Sequence, residues 1–120
     1  MPLEEMRNRL MKDSILIDIK KMLGLGEDYN EFDKEIMIHI NSVFTILRQL
    51  GIGPAEGFKI TGVADTWDNF SDNMLLIEDV KTYIFLKVRM LFDPPSSSVL
   101  ASSIEKEISE FEWRLNIESS

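Results

Sequence analysis

The chain has 120 residues, 44% hydrophobic and 28% charged, with 21 acidic against 13 basic side chains and a formal net charge of -8. That length suits one globular domain and is too short for a barrel enzyme, a dinucleotide-binding enzyme or a kinase core. The absence of cysteine excludes disulfides, a thiolate nucleophile and cysteine-bound metal. No apolar run approaches the ~18–20 residues a membrane span needs, and the acidic balance argues against a protein whose main work is neutralising phosphates.

Met1 to Lys12 is charged throughout and lacks a signal-peptide apolar core, which points to a soluble, intracellular chain. Leu3, Met6 and Leu10 recur there at helical spacing, so residues 1–13 read as a short helix or arm that needs a neighbour to order it. A single helical domain is expected over 14–116, with a flexible tail over 117–120. Its first helix carries Ile15, Ile19, Met22 and Leu23 on one face. Asp13 and Ser14 stand where N-caps belong, Lys20 and Lys21 fall in the last turn, and Gly24-Leu25 suits a Schellman stop.

After the acidic turn Glu27 to Glu31, Asp33 is placed to cap a second helix with the stripe Ile36, Ile40, Val43, Phe44, Leu47 and Leu50. Phe32 and Met37 are spaced as a hydrophobic staple. Gly51 should end this helix. From Gly51 to Asn73 four glycines and Pro54 preclude a helix, and the alternation Phe58-Lys59-Ile60-Thr61 predicts a short strand or hairpin returning near Thr66 and Trp67. A structureless loop of about 20 residues is unusual in a compact domain and is more often a contact loop.

The third main helix covers Met74 to Phe92. Ile77, Val80, Ile84, Val88 and Leu91 form one face, but Leu76, Tyr83, Phe85, Met90 and Phe92 leave little of the circumference polar. Such a helix is either central or completed by another subunit. Asp93-Pro94-Pro95 ends it. Ser96, Ser97 and Ser98, or the capping box Ser102-x-x-Glu105, start a last helix with the inward stripe Ile104, Ile108, Phe111 and Leu115 and with Trp113 off it. The fold class is mainly α: a small bundle of about four helices with a long loop or short β-hairpin between the second and third main helices.

No catalytic, cofactor-binding or metal-binding residue emerges. His39 is the lone histidine, so histidine-pair metal sites and Ser-His-Asp triads with a further histidine ligand are excluded, and it reads as structural or exposed. Asp65, Asp68 and Asp72 fail the spacing of a calcium loop. Gly51-x-Gly53-x-x-x-Gly57 follows a helix and lacks the Lys-Ser/Thr of a phosphate loop, so it reads as a turn. Met22, Met37 and Met90 belong to the core or a subunit interface. Lys81, Tyr83, Phe85, Lys87 and Arg89 interleave aromatic and basic types, but in the most apolar segment, where packing is the better reading.

The segments Ser14-Ile-Leu-Ile-Asp-Ile-Lys-Lys-Met-Leu-Gly24, His39-Ile-Asn-Ser-Val-Phe44, Leu50-Gly-Ile-Gly-Pro54, Val80-Lys-Thr-Tyr-Ile-Phe-Leu-Lys-Val-Arg89, Leu91-Phe-Asp-Pro-Pro95 and Glu112-Trp-Arg-Leu-Asn116 resemble the head-to-tail connector, or adaptor, family of tailed phages and prophages of Gram-positive bacteria. Leu-Phe-Asp-Pro-Pro followed by serines is the most specific element, and the resemblance covers Ser14 to Asn116. It implies a non-enzymatic virion protein without cofactors that assembles as a ring, commonly of about twelve copies. The ring lies beneath the portal in the neck, and assembly takes place in the host cytoplasm. The implied partners are itself, the portal, a downstream neck, stopper or tail-completion protein, and DNA that passes without specific binding; no membrane is involved.

Mapped onto this chain, the resemblance makes the second and third helices the ring wall, Gly51 to Asn73 a projecting element and the end of the last helix a portal-docking segment. The interface residues it nominates are Phe58, Ile60 and Trp67 on the projection, Tyr83, Met90, Phe92, Pro94 and Pro95 along the wall, and Trp113, Arg114 and Leu115 in the docking segment. The charge suits a channel subunit, because a negative bore repels phosphate. An acidic regulator or DNA mimic that binds a host protein, and a small DNA-packaging subunit, are the alternatives; acids scattered evenly along the chain disfavour the mimic.

Overall fold

The computed structural model describes residues 13–119, together with residues 2, 3 and 5. The arm expected over residues 1–13 falls almost wholly outside the described residues. Helix α1 spans Ile15–Met22, α2 Asp33–Gln49, α3 is the single turn Trp67–Phe70, α4 spans Met74–Phe92 and α5 Ser98–Ser119. The protein is thus the expected small helical bundle.

Helix α1 starts and stops as its sequence predicts. The Ser14 hydroxyl accepts from the Ile17 amide at 3.3 Å, and Gly24, at φ +85°, lets the Leu25 amide reach the Lys20 carbonyl at 2.9 Å. That is the Schellman closure, and its left-handed residue favours glycine. Lys20 departs from the expectation of a solvated last-turn cation. It is 1% exposed, its Nζ 2.9 Å from the Asp33 carboxylate and donating to the Glu27 carbonyl at 3.1 Å and Asn30 Oδ1 at 3.4 Å. The acidic turn folds over the ammonium group, and a buried cation requires that full set of acceptors.

Asp33 therefore serves as counter-ion, not cap; Phe32 occupies the N-cap position of α2 with no side-chain cap bond. Phe32 packs edge-on against Phe92, at 5.3 Å between centroids, which sets the start of α2 beside the end of α4.

Helix α4 is the central element. It contacts α1, α2 and α5, with Ile77, Val80, Tyr83, Ile84, Leu86 and Val88 buried around much of its circumference. Of the two readings of this helix, central or completed by another subunit, the fold makes it central and covers most of its apolar surface, whereas Leu91, assigned to the inward face, is 53% exposed.

Among the described residues no strand forms between α2 and α4. One antiparallel bridge, Ser14 to Thr66, ties the connection to the start of α1, reinforced by the Ile15 amide on the Asp65 carbonyl at 3.0 Å. The Asp65 carboxylate accepts from the amides of Thr61 at 2.7 Å and Gly62 at 3.2 Å, so side-chain bonds replace the ladder a hairpin would have.

Asn41 of α2 does the same for the other half. Its Oδ1 accepts from the Ile60 amide at 2.7 Å and its Nδ2 donates to the Ile60 carbonyl at 3.0 Å. Gly53 adopts φ +91°, and a Cβ there would lie 2.4 Å from the Phe70 ring, so both conformation and space demand glycine.

Helix α5 is capped by Ser97, whose hydroxyl accepts from the Leu100 amide at 3.3 Å; the Ser102-x-x-Glu105 pattern lies inside the helix. Ile104, Ile108 and Leu115 are buried against the bundle, as the stripe predicts. The helix runs to Ser119, past the point where fraying was expected. A Cβ on Gly51 would stand 3.0 Å from Ser119, which puts the end of α5 beside the end of α2.

Candidate protein interface

The sequence nominated eleven interface residues, and the structure divides them. Trp67 is fully buried. Its indole N–H donates to Asp18 Oδ2 at 2.7 Å, the same oxygen lies 3.2 Å from Lys81 Nζ, and that ammonium sits 5.1 Å from the indole centroid. Asp18, Trp67 and Lys81 thereby join α1, α3 and α4 at one point, a half-buried charge pair completed by a hydrogen bond and a cation–π contact.

Ile60 is buried under α2, and Phe58 is half-buried with its ring 4.9 Å from that of Phe44 and 5.4 Å from that of Phe70. The expected projection is therefore folded down onto the core.

Tyr83 and Leu115 are buried as well. The Tyr83 hydroxyl donates to Glu112 Oε2 at 2.7 Å, linking α4 to α5. Burial first, and then that hydrogen bond, pushes the phenol above its ordinary range. Met90 lines a groove of about 290 Å³ between α4 and α5, together with Lys87, Leu91, Glu105, Ile108, Ser109 and Glu112. Phe92 is half-buried against Phe32, Pro94 is exposed and Pro95 half-buried.

Trp113 and Arg114 remain. Trp113 is 68% exposed, and the Arg114 guanidinium lies 4.4 Å from the Phe111 ring centroid of its own helix. Val99 and Ile117 are exposed at 80% and 51%. At 100° per residue Val99, Trp113 and Ile117 share the side of α5 opposite the stripe Ile104, Ile108 and Leu115. The helix thus buries one apolar stripe in the bundle, while its outer side sets Val99, Trp113 and Ile117 in solvent among Lys106, Glu110 and Arg114. A hollow lined by Lys106, Ser109, Glu110, Trp113 and Arg114 belongs to this outer side; its lining comes from a single helix, so it is a surface and not an enclosed cavity.

The other chemical candidates resolve into structural roles. His39 Nε2 stands 3.9 Å from the Glu35 carboxylate one turn away. Asp65 organises its loop, and Asp68 accepts from the Thr66 hydroxyl at the start of α3. Among the described residues no group of three or more His, Asp or Glu side chains is placed to hold a metal ion, and no helix is long and apolar enough to cross a membrane. Sequence reasoning missed Asp18, Lys20 and Asn41. Each is a polar residue next to apolar ones on a helix, and only the tertiary fold names its partner.

No curated protein and no solved structure gives a significant match to this chain. A family model described as phage connector protein matches residues 15–120, from the first residue of α1 through the whole of α5. The resemblance carried by Leu91-Phe-Asp-Pro-Pro95 and its companion segments is thereby matched over all five helices, and the chain belongs to the phage connector protein family.

Proposed function

We propose that the chain is a structural subunit of the virion neck. It assembles as a ring beneath the portal, joins portal to the next neck or tail-completion protein, and lets DNA pass through its centre without specific binding. The observation that carries this reading is the outer face of α5, where Val99, Trp113 and Ile117 stand in solvent on a helix whose inner stripe already serves the core. An exposed tryptophan with Ile117 one turn on, on the side of the helix turned away from the core stripe, fits an interface. The net charge of -8 supports a subunit past which phosphate slides.

Electron microscopy of intact necks, and of the purified chain added to portal-bearing capsids lacking it, tests the proposal. A ring at the portal vertex is expected. Capsids that acquire no density there, with the chain left free in solution, would overturn it. Truncation after Pro95 is an unsuitable probe, because it strips α5 from α4 and uncovers the core. Trp113→Ala with Ile117→Ser leaves the inner stripe intact and should abolish attachment while the protomer stays folded.

A further inference from the structure

Between α1 and α2 the chain crosses from Gly24 to Phe32 in turns alone. Leu25 is half-buried there and the other residues are exposed. The crossing is held to itself by the Leu25 amide on the Lys20 carbonyl, the Tyr29 amide on the Gly26 carbonyl at 3.1 Å and the Asp33 amide on the Asn30 carbonyl at 3.2 Å. Besides Leu25, two side-chain contacts moor it to the bundle. At one, the Lys20 ammonium engages the Glu27 carbonyl, Asn30 Oδ1 and the Asp33 carboxylate. At the other, Phe32 packs on Phe92, with the Tyr29 ring 5.8 Å beyond it.

The two moorings differ in kind. A contact between ring edges tolerates a range of geometries. The ammonium does not, because Lys20 is 1% exposed and Asp33 Oδ1 is shielded from solvent. Each charge is tolerated in that position only while the other is in place, since an unpaired buried charge costs far more than the pair gains. With the crossing shut, both are paired; with it swung away, both reach water. Intermediate positions satisfy neither. The surrounding acids Glu27, Asp28 and Glu31 and the cations Lys21 and Lys34 are exposed and stay hydrated in either state, so the choice rests on Lys20 and Asp33.

We propose that Gly24 to Phe32 is a strap that opens and closes as a unit separate from the bundle, with the Lys20 ammonium as its latch and Phe92 as its seat. Phe92 leads directly into Asp93-Pro94-Pro95, the break before α5, and its neighbours Leu91 and Pro94 are exposed. The closed strap covers one side of Phe92 and steadies the last turn of α4. Opening frees that ring together with Lys20, so the strap couples the end of α1 to the corner where α4 gives way to α5. Lys20 is a positioning residue in this device. In Lys20→Met the stem stays packed, and Asp33 escapes burial when the strap opens, so the bundle itself should lose little. The inference is independent of how the chain assembles.

Native-state amide exchange of the full chain, read residue by residue by NMR, tests it. In the wild type the Leu25, Tyr29 and Asp33 amides should exchange together, faster than those of α4 and with little dependence on added denaturant. Lys20→Met should speed these three at least about ten-fold and erase the nuclear Overhauser contacts between Phe32 and Phe92, with α4 amides within about two-fold of their wild-type rates. Asp33→Asn, which removes the charge from the other side of the latch, should act in the same direction. Phe92→Leu removes the seat and leaves the latch, and should speed the same three amides by a smaller factor. Wild-type rates at these amides in both latch variants would overturn the strap. So would a Lys20→Met chain in which α4 loses protection equally, since Lys20 would then belong to the global core.

Discussion

Between Gly51 and Asn73 the chain holds four glycines, a proline and a single helical turn, yet Ile52, Ile60, Trp67 and Phe70 are all buried there. Between Ser98 and Ser119 it forms one unbroken helix, and Val99, Trp113 and Ile117 stand in solvent. Regular structure and burial are decoupled in these two regions. A helix satisfies its own backbone, so its outer face can remain open for a partner. An irregular segment must find backbone partners elsewhere, and Asn41, Asp65 and the start of α1 supply them while drawing the segment onto the core.

The strongest way to break this contrast is Trp67→Ala. It empties a fully buried site and leaves Asp18 and Lys81 without the indole, so a loss of about 3–5 kcal/mol is expected in chemical denaturation. An effect below about 1 kcal/mol would mean that the connection is not part of the core. Gly53→Ala meets both a positive φ and the Phe70 ring, and a cost of about 2–3 kcal/mol by the same measurement follows. Asn41→Ala removes two hydrogen bonds and should cost about 1–2 kcal/mol; faster amide exchange at Ile60, with α4 still protected, would locate the loss in the connection.

A smaller effect is expected at the joint between α4 and α5. Tyr83→Phe deletes the bond to Glu112 and should cost about 1 kcal/mol at neutral pH. Its pH dependence has a defined sign. The folded chain holds the Tyr83 proton more tightly than the unfolded chain, which ionises near pH ~10, so this stability is complete below that pH and declines above it. The wild type should therefore lose stability on going from about pH 9 to 11 more steeply than Tyr83→Phe does. Equal slopes would show that the phenol is not the group responsible. The smallest stability change belongs to Trp113→Ala, within about 0.5 kcal/mol, because the indole packs against little of its own chain. Loss of attachment or self-association without loss of stability would sharpen the contrast between the two regions.

Much of the architecture was legible because it is local. The periodicity of Ile36, Ile40, Val43, Phe44 and Leu47 marked α2, Ser14 and Gly24 bracketed α1, and the Asp93-Pro94-Pro95 break separated α4 from α5. Trp113 was legible as a surface residue for the same reason: its offset from the stripe Ile104, Ile108 and Leu115 follows from helical geometry alone. Ile60, Trp67 and Tyr83 are large, apolar or aromatic residues equally suited to an interface or a core, and no local rule distinguishes the two uses.

Residue order by itself determined the bounds of α1, α2 and α4, that no cysteine chemistry is present, and, through Leu91-Phe-Asp-Pro-Pro95 and its companion segments, the family. These depend on backbone preferences and on patterns within a turn or two. Tertiary structure alone decided that the glycine-rich connection folds inward, that Lys20 is buried against Asp33, and that Asp18 binds both Trp67 and Lys81. Those outcomes join residues as many as 63 positions apart, and the free energy of a buried polar contact depends on which acceptor the packed fold brings within 3 Å.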